Sequence, residues 1–169
     1  MTLTLVPITR SLSKAPFDCG YRELNHYLRH YALKNDQLSI GKTFVATTET
    51  GRVAGYLTIS TAGIAAESLP EELRASLPRY PVPAMRVGRL AVDLQFQGAG
   101  VGRWLLTQAF RKAVVVSQHV GMYAVLVDAI DERAKAFYLK YGFIPFEGHP
   151  LTLFLPVATI LSAMEQEPS

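Results

Sequence analysis

The sequence predicts an α+β domain in which helices pack on a β-sheet, and three observations carry that reading. β-rich runs recur at both ends of the chain. Between them, residues 85–127 read as a strand, a glycine-rich turn, a helix and a second, continuously apolar strand. Hydrophobic residues make up 49% of the 169 residues and charged residues 18%, a globular composition that excludes a wholly disordered or fibrous chain. Domains of ~100 to 200 residues are ordinary, so a single domain spanning residues 1–169 is expected. The longest apolar runs, 113–116 and 122–127, fall far short of the ~18 to 20 residues a membrane span needs, so no membrane association is expected. The first 13 residues carry no apolar stretch followed by a small-residue cleavage site, and Cys19 is the only cysteine. A reducing cytoplasm is therefore the expected compartment, without an intrachain disulfide or a cysteine-built metal site.

Taken in order, residues 2–8 alternate apolar and polar and read as a first strand, with Pro7 marking an edge or an end. Residues 21–35 have helical periodicity. Leu24, Tyr27, Leu28 and Tyr31 fall on the apolar face, and Arg22, His26 and Arg29 fall opposite. Residues 42–47 and 53–60 form a hairpin across a polar turn containing Gly51. The stretch 68–83 holds four prolines around a short helix at 71–76. A strand at 85–92 leads through the turn Gln97-Gly98-Ala99-Gly100-Val101-Gly102-Arg103 into a helix at about 100–118, and a strand follows at 122–127. Such a βαβ unit makes its outer strands parallel neighbours. Asp131 suits an N-cap for a helix over 132–141 that Gly142 ends. Strands at 143–147 and 151–155 and a short tail complete the sheet.

The glycine-rich turn is the first candidate for chemistry. Closely spaced glycines let backbone N–H groups approach an anion, and a helix N-terminus adds partial positive charge, so the segment can cradle a phosphate. Its spacing is neither the GxGxxG of dinucleotide folds nor a P-loop, and a tight turn with no ligand is the alternative. The second candidate is Ala136-Phe137-Tyr138. Phe137 and Tyr141, at i and i+4, are expected to bury on one side, while Tyr138 is rotated about 100° from Phe137 and need not enter the same core. His26 and His30 are the one histidine pair at metal-binding spacing, without a third ligand nearby, so no metal is expected. A serine hydrolase is unsupported for want of a GxSxG motif.

The pattern Gln97-x-x-Gly100-x-Gly102 after Arg89-Leu90-Ala91-Val92, together with Ala136-Phe137-Tyr138-x-x-x-Gly142-Phe143, resembles the Gcn5-related N-acetyltransferases. The segments Phe17-Asp18-Cys19-Gly20 with Leu24-Asn25, Leu33-Lys34-Asn35 to Val45, Gly88 to Asp93 and Val127-Asp128-Ala129 resemble the acetyltransferase toxins of bacterial toxin–antitoxin modules. The resemblance implies a mixed sheet of six to seven strands with one splayed parallel pair, and acetyl-CoA as co-substrate. By that likeness Gln97, Gly98, Ala99, Gly100, Val101, Gly102 and Arg103 hold the pyrophosphate. Leu90, Ala91 and Val92 pair with the pantetheine arm, Phe137 lies at the cofactor, and Tyr138 is the general acid for the departing thiolate. A homodimer and a ribbon-helix-helix antitoxin partner are implied in the same way.

Residues 85–92 contain no Asp or Glu that could deprotonate a lysine amine of pKa ~10.4, whereas an α-amine titrates near ~7.7 to 8.0 and needs less help. This suits an aminoacyl-tRNA as acceptor, with translation blocked as the outcome. Lys and Arg outnumber Asp and Glu by 11 to 7 in residues 1–90 and not in the remainder. Lys34, Arg86 and Arg89 are the expected phosphate contacts on that tRNA. Acetylation of a protein or small-molecule amine, and a fold-retaining binding module without turnover, are the competing readings.

Overall fold

The computed structural model describes residues 1–166, so the last three residues of the expected domain lie outside the described ones. Seven strands, β1 (Thr4–Pro7), β2 (Lys42–Thr47), β3 (Val53–Ile64), β4 (Val82–Val92), β5 (Ala124–Asp128), β6 (Ile144–Phe146) and β7 (His149–Pro156), form one sheet in the order β1-β2-β3-β4-β5-β7-β6. The helices are α1 (Arg10–Lys14), α2 (Arg22–His30), α3 (Ala32–Gln37), α4 (Glu71–Arg74), α5 (Val101–Ser117), α6 (Glu132–Leu139) and α7 (Val157–Gln166). The sheet is mixed and has one parallel pair. Strands β4 and β5 are neighbours connected through the 17-residue α5, the kind of crossover that parallel neighbours require. Two compact units divide the chain, residues 1–60 with 87–109 and residues 61–86 with 110–169.

In the first unit β2 pairs antiparallel with the start of β3, as the hairpin periodicity predicts, and β1 pairs antiparallel with β2. The core beneath α2 gathers Ile8, Phe17, Leu24, Tyr27, Leu28, Val45 and Tyr56. Tyr56 meets Phe17 edge-on at 5.6 Å and donates its hydroxyl to the Leu24 carbonyl at 2.7 Å, so its burial leaves no polar group unpaired. The single helix expected over 21–35 is in fact two. The break falls at Tyr31 (φ −122°, ψ −29°), which is 50% exposed although helical spacing places it on the buried face. Tertiary bonds override the periodicity. Asp36 of α3 accepts the Thr43 N–H at 3.1 Å and pairs with Lys42 at 3.3 Å, and Asn35 donates to the Tyr27 hydroxyl at 3.2 Å. These contacts tie α3 to β2 and to α2 and set its course.

The second unit buries Ile64, Leu69, Val82, Ala84, Leu126, Phe146 and Phe154 around the antiparallel pairs β5–β7 and β6–β7. Strand β4 starts at Val82, three residues earlier than the prolines suggest. Pro83 lacks an N–H, which the start of a strand tolerates, and its carbonyl accepts the Tyr123 N–H at 2.8 Å. Asp131 caps α6 through its side chain, which accepts the Ala134 N–H at 2.9 Å, and Gly142 (φ +90°) turns the chain after the helix. Two further differences are the short α1, capped by Thr9, and α7, which replaces the expected tail and buries Val157 and Ile160.

Candidate active site

In the first unit the turn between β4 and α5 is held from below by a polar clasp. Asp93, 8% exposed, accepts the Asp18 N–H at 3.0 Å with one carboxylate oxygen and the Gln95 N–H at 2.9 Å with the other. Asp18 in turn accepts from the Gly20 N–H and the Asn25 amide, both at 2.9 Å, and Asn25 accepts the Cys19 N–H at 2.9 Å. The bond from Gly20 and then the one from Asn25 favour the ionised form, holding the Asp18 carboxyl below the usual aspartate range. Gln97 donates its side-chain amide to the carbonyls of Val92 at 3.0 Å and Cys19 at 3.3 Å. Arg52 lies over the Phe96 ring at 4.9 Å and hydrogen-bonds Gln95. The turn is therefore rigid before any ligand arrives.

Above that clasp the backbone is open. Gly98 (φ +83°) and Gly100 (φ +84°) adopt the left-handed conformation, and an added Cβ at either would meet nothing within 4 Å. Their glycine requirement comes from the backbone conformation and not from crowding. Gly102 differs from the expectation that all three glycines shape the turn, because it is already the second residue of α5. The first intrahelical bond after the turn runs from the Trp104 N–H to the Gly100 carbonyl at 3.0 Å. The N–H groups of Val101, Gly102 and Arg103 are thus left over at the positive end of a 17-residue helix. With the exposed Arg103 beside them, these groups fit a pyrophosphate.

Strand β4 leads into this cradle. Leu90 and Val92 pack beside Val101 and Leu105, while Ala91 joins the core under α2. Gly55 of β3 makes the packing possible: a Cβ there would come within 2.6 Å of the Ala91 carbonyl oxygen and 3.0 Å of Leu105. Arg89 lies with its guanidinium 3.6 Å from the centroid of the Tyr27 ring. Stacking of this kind leaves the in-plane N–H groups of arginine available to a phosphate. Lys34 is exposed on α3.

In the second unit Tyr138 of α6 is 3% exposed, edge-on to Phe137 at 5.3 Å and to Phe143 at 5.5 Å; Phe143 stacks on Phe110 at 5.9 Å. This reverses the expected arrangement, for Phe137 and Tyr141 are only half-buried. The turn at Gly142 brings Phe143 back against Tyr138, a contact that helix periodicity cannot foresee. Burial pushes the phenol well above the ordinary tyrosine range, and the negative charge of Asp128 pushes it the same way. Among the described residues the Tyr138 hydroxyl has no hydrogen-bond partner, yet it is not a sealed polar atom. A buried ring thus presents a protonated, unpartnered hydroxyl. Asp128, at the end of β5, forms a 2.6 Å ion pair with Arg86 of β4, so this arginine has a carboxylate partner already.

Sequence reasoning missed the roles of Asp18, Asn25 and Asp93, although all three lie in segments that carry the resemblance. The spacing of Asp18 and Asp93, 75 residues apart, carries no local signal. It also missed Gly55, and it gave Asp128 no role although Val127-Asp128-Ala129 carries part of the resemblance. No group of three or more His, Cys, Asp or Glu side chains able to hold a metal occurs among the described residues.

The mixed seven-stranded sheet with one parallel pair, flanked by helices, is an acyltransferase architecture. Residues 39–145 match the family model described as the acetyltransferase (GNAT) domain, and the chain belongs to that family of acetyl-CoA-dependent acetyltransferases. It is 36% identical over 139 residues to the tRNA-acetylating toxin of Mycobacterium tuberculosis strain ATCC 25618 / H37Rv, covering 82% of each chain. Its fold is similar to AtaT complexed with acetyl-methionyl-tRNAfMet (TM-score 0.87, 29% identity, 96% of this chain and 99% of the other). A tyrosine-to-phenylalanine mutant of the AtaT toxin, bound to the C-terminus of the antitoxin AtaR and to acetyl-CoA, is similar at a TM-score of 0.81 and 27% identity, covering 97% and 99%.

Proposed function

We propose that this chain is a toxin-type N-acetyltransferase that moves the acetyl group of acetyl-CoA to the α-amine of an aminoacyl-tRNA and so blocks translation. The observation that carries the reading is Tyr138, a neutral phenol on a buried ring whose hydroxyl has no hydrogen-bond partner among the described residues. Its raised pKa keeps it protonated at neutral pH, the form a general acid must have. The similarity to the mycobacterial tRNA-acetylating toxin and to the tRNA complex of AtaT supports the choice of acceptor.

The N–H groups of Val101, Gly102 and Arg103, with Gly98 and Gly100 shaping the approach, hold the pyrophosphate of acetyl-CoA, and Leu90, Ala91 and Val92 flank the pantetheine arm. The amine lone pair forms the new C–N bond, the C–S bond breaks, and the thiolate takes the Tyr138 proton, which solvent later replaces. The proton lost from the amine goes to water. An α-amine near ~7.7 to 8.0 needs no strong base, which agrees with a β4 that carries no carboxylate. Lys34, Arg86 and Arg89 contact phosphates. Residues 1–169 act as one domain, as a cytoplasmic homodimer, neutralised by a ribbon-helix-helix antitoxin whose C-terminal segment folds on this surface; the AtaT complex with the AtaR C-terminus supports that partner.

The test is incubation of purified protein with acetyl-CoA and bulk charged tRNA, followed by mass spectrometry of the released aminoacyl ends and by induction of the gene alone. N-acetylated ends and growth arrest are the expected results. Unmodified ends together with turnover on a polyamine or a peptide amine would establish the competing acceptor class.

A further inference from the structure

A ladder of π-systems runs outward from strand β4 across α2, and nothing in the acetyl-transfer chemistry uses it. Its inner rung is Arg89 over Tyr27 at 3.6 Å; Tyr27 stacks on Tyr31 at 6.3 Å and 26°. Tyr31 meets His26 at 5.5 Å, and His26 meets His30 at 4.5 Å. Tyr27 is buried, but Tyr31 is half exposed and both histidines are exposed, so the outer rungs form an open aromatic surface. The helix break is what exposes Tyr31, since an unbroken helix would carry it to the buried face. Arg22 and Arg29 are exposed on the same side of α2, where the one acidic side chain is Glu23. Exposed aromatics among cations are costly in water and match unpaired nucleotides, whose bases stack while their phosphates meet the arginines.

We propose that Tyr31, His26 and His30 form a stacking platform for the unpaired 3′ nucleotides of the RNA acceptor, with Arg22 and Arg29 as phosphate contacts. The inference rests on charged tRNA as the substrate and adds the residues that receive its single-stranded end. The inner rung gives it direction, because Arg89 immediately precedes Leu90, the first of the residues assigned to the pantetheine arm. Duplex RNA is not the ligand of this surface, since paired bases offer no free face to stack.

The experiment compares two RNA hairpins with the same acceptor stem, one ending in a short unpaired 3′ tail and one blunt, by fluorescence anisotropy at fixed salt. Wild type binds the tailed hairpin more tightly. His26→Ala with Tyr31→Ala lowers affinity for the tailed hairpin about tenfold and leaves the blunt one nearly unchanged, the size of effect that loss of a stacked base gives. Tyr31→Trp keeps the preference for the tail. Equal affinity of wild type for both hairpins, or an equal loss on both in the variant, overturns the platform, as does failure of Tyr31→Trp to bind like wild type. Acetylation of charged tRNA by wild type is read separately: its absence overturns the substrate reading, whatever the hairpins show.

Discussion

The glycine-rich turn and the surroundings of Tyr138 solve opposite problems. At the turn the groups proposed to act are backbone N–H donors, and side chains such as Asp93, Asn25 and Gln97 hydrogen-bond around them as supports. Around Tyr138 the group proposed to act is one side-chain hydroxyl, and the support is apolar, made of Phe137, Phe143 and, behind it, Phe110. An anion site of this kind needs open approach, so its glycines face empty space. The apolar surroundings of Tyr138 penalise the phenolate, so its hydroxyl stays neutral well past the ordinary tyrosine range. Substitutions should therefore act on affinity in the first region and on turnover in the second.

Replacing Tyr138 with Phe tests the turnover half most severely. Losing a general acid removes roughly 10² to 10⁴ in rate, so kcat should fall by at least about 100-fold, with acetyl-CoA affinity by calorimetry unchanged and the growth arrest relieved. An equal loss of cofactor affinity would break the comparison. Gly55→Ala is expected to lower stability by about 2 kcal/mol, because its Cβ meets a backbone carbonyl that can move only with the strand. At this chain length that is roughly a 6 °C fall in Tm, readable by calorimetry.

At the turn, Gly100→Val should weaken acetyl-CoA binding about tenfold through backbone strain, whereas Gly100→Asn should recover most of it because Asn tolerates the left-handed conformation. Equal losses would mean that space, not conformation, is limiting there. Arg89→Glu should weaken charged-tRNA binding and make its salt dependence shallower by about one unit, with acetyl-CoA binding intact. Arg86→Glu should do the same and also lower kcat, because it places a second carboxylate beside Asp128, whose charge already acts on Tyr138. Rates identical to wild type across a range of salt would remove both arginines from the tRNA surface.

The smallest expected effect is on the pH profile of stability. Burial raises the folded pKa values of both Tyr138 and Tyr56 above the ordinary tyrosine value of about 10. The stabilisation from burying their neutral forms is complete below that value, where both states are protonated. It is lost as pH rises above about 10 toward the folded values, because the unfolded chain releases these protons first. Denaturation midpoints should be flat from pH 7 to about 9.5 in this contribution and fall beyond it. Tyr138→Phe should flatten part of that fall.

Local sequence was enough to place the hairpin β2–β3, the βαβ succession through α5, the Asp131 cap and the turn at Gly98 and Gly100, because each depends on contacts or conformations within a few residues. It was also enough to mark Tyr138 beside Gly142. The break at Tyr31 was not legible, since bonds from Asp36 to Thr43 and from Asn35 to Tyr27 produce it against the periodicity. Nor was the ionisation of Tyr138, which depends on Phe143 folding back and on Asp128 from another strand. The Asp18–Asp93 clasp spans 75 residues. Short-range periodicity and turn chemistry are encoded residue by residue, whereas burial, long-range hydrogen bonds and the charges that set a pKa exist only once distant segments have packed, and that is why the turn and the position of Tyr138 could be read from the chain while the clasp beneath the turn and the burial of Tyr138 could not.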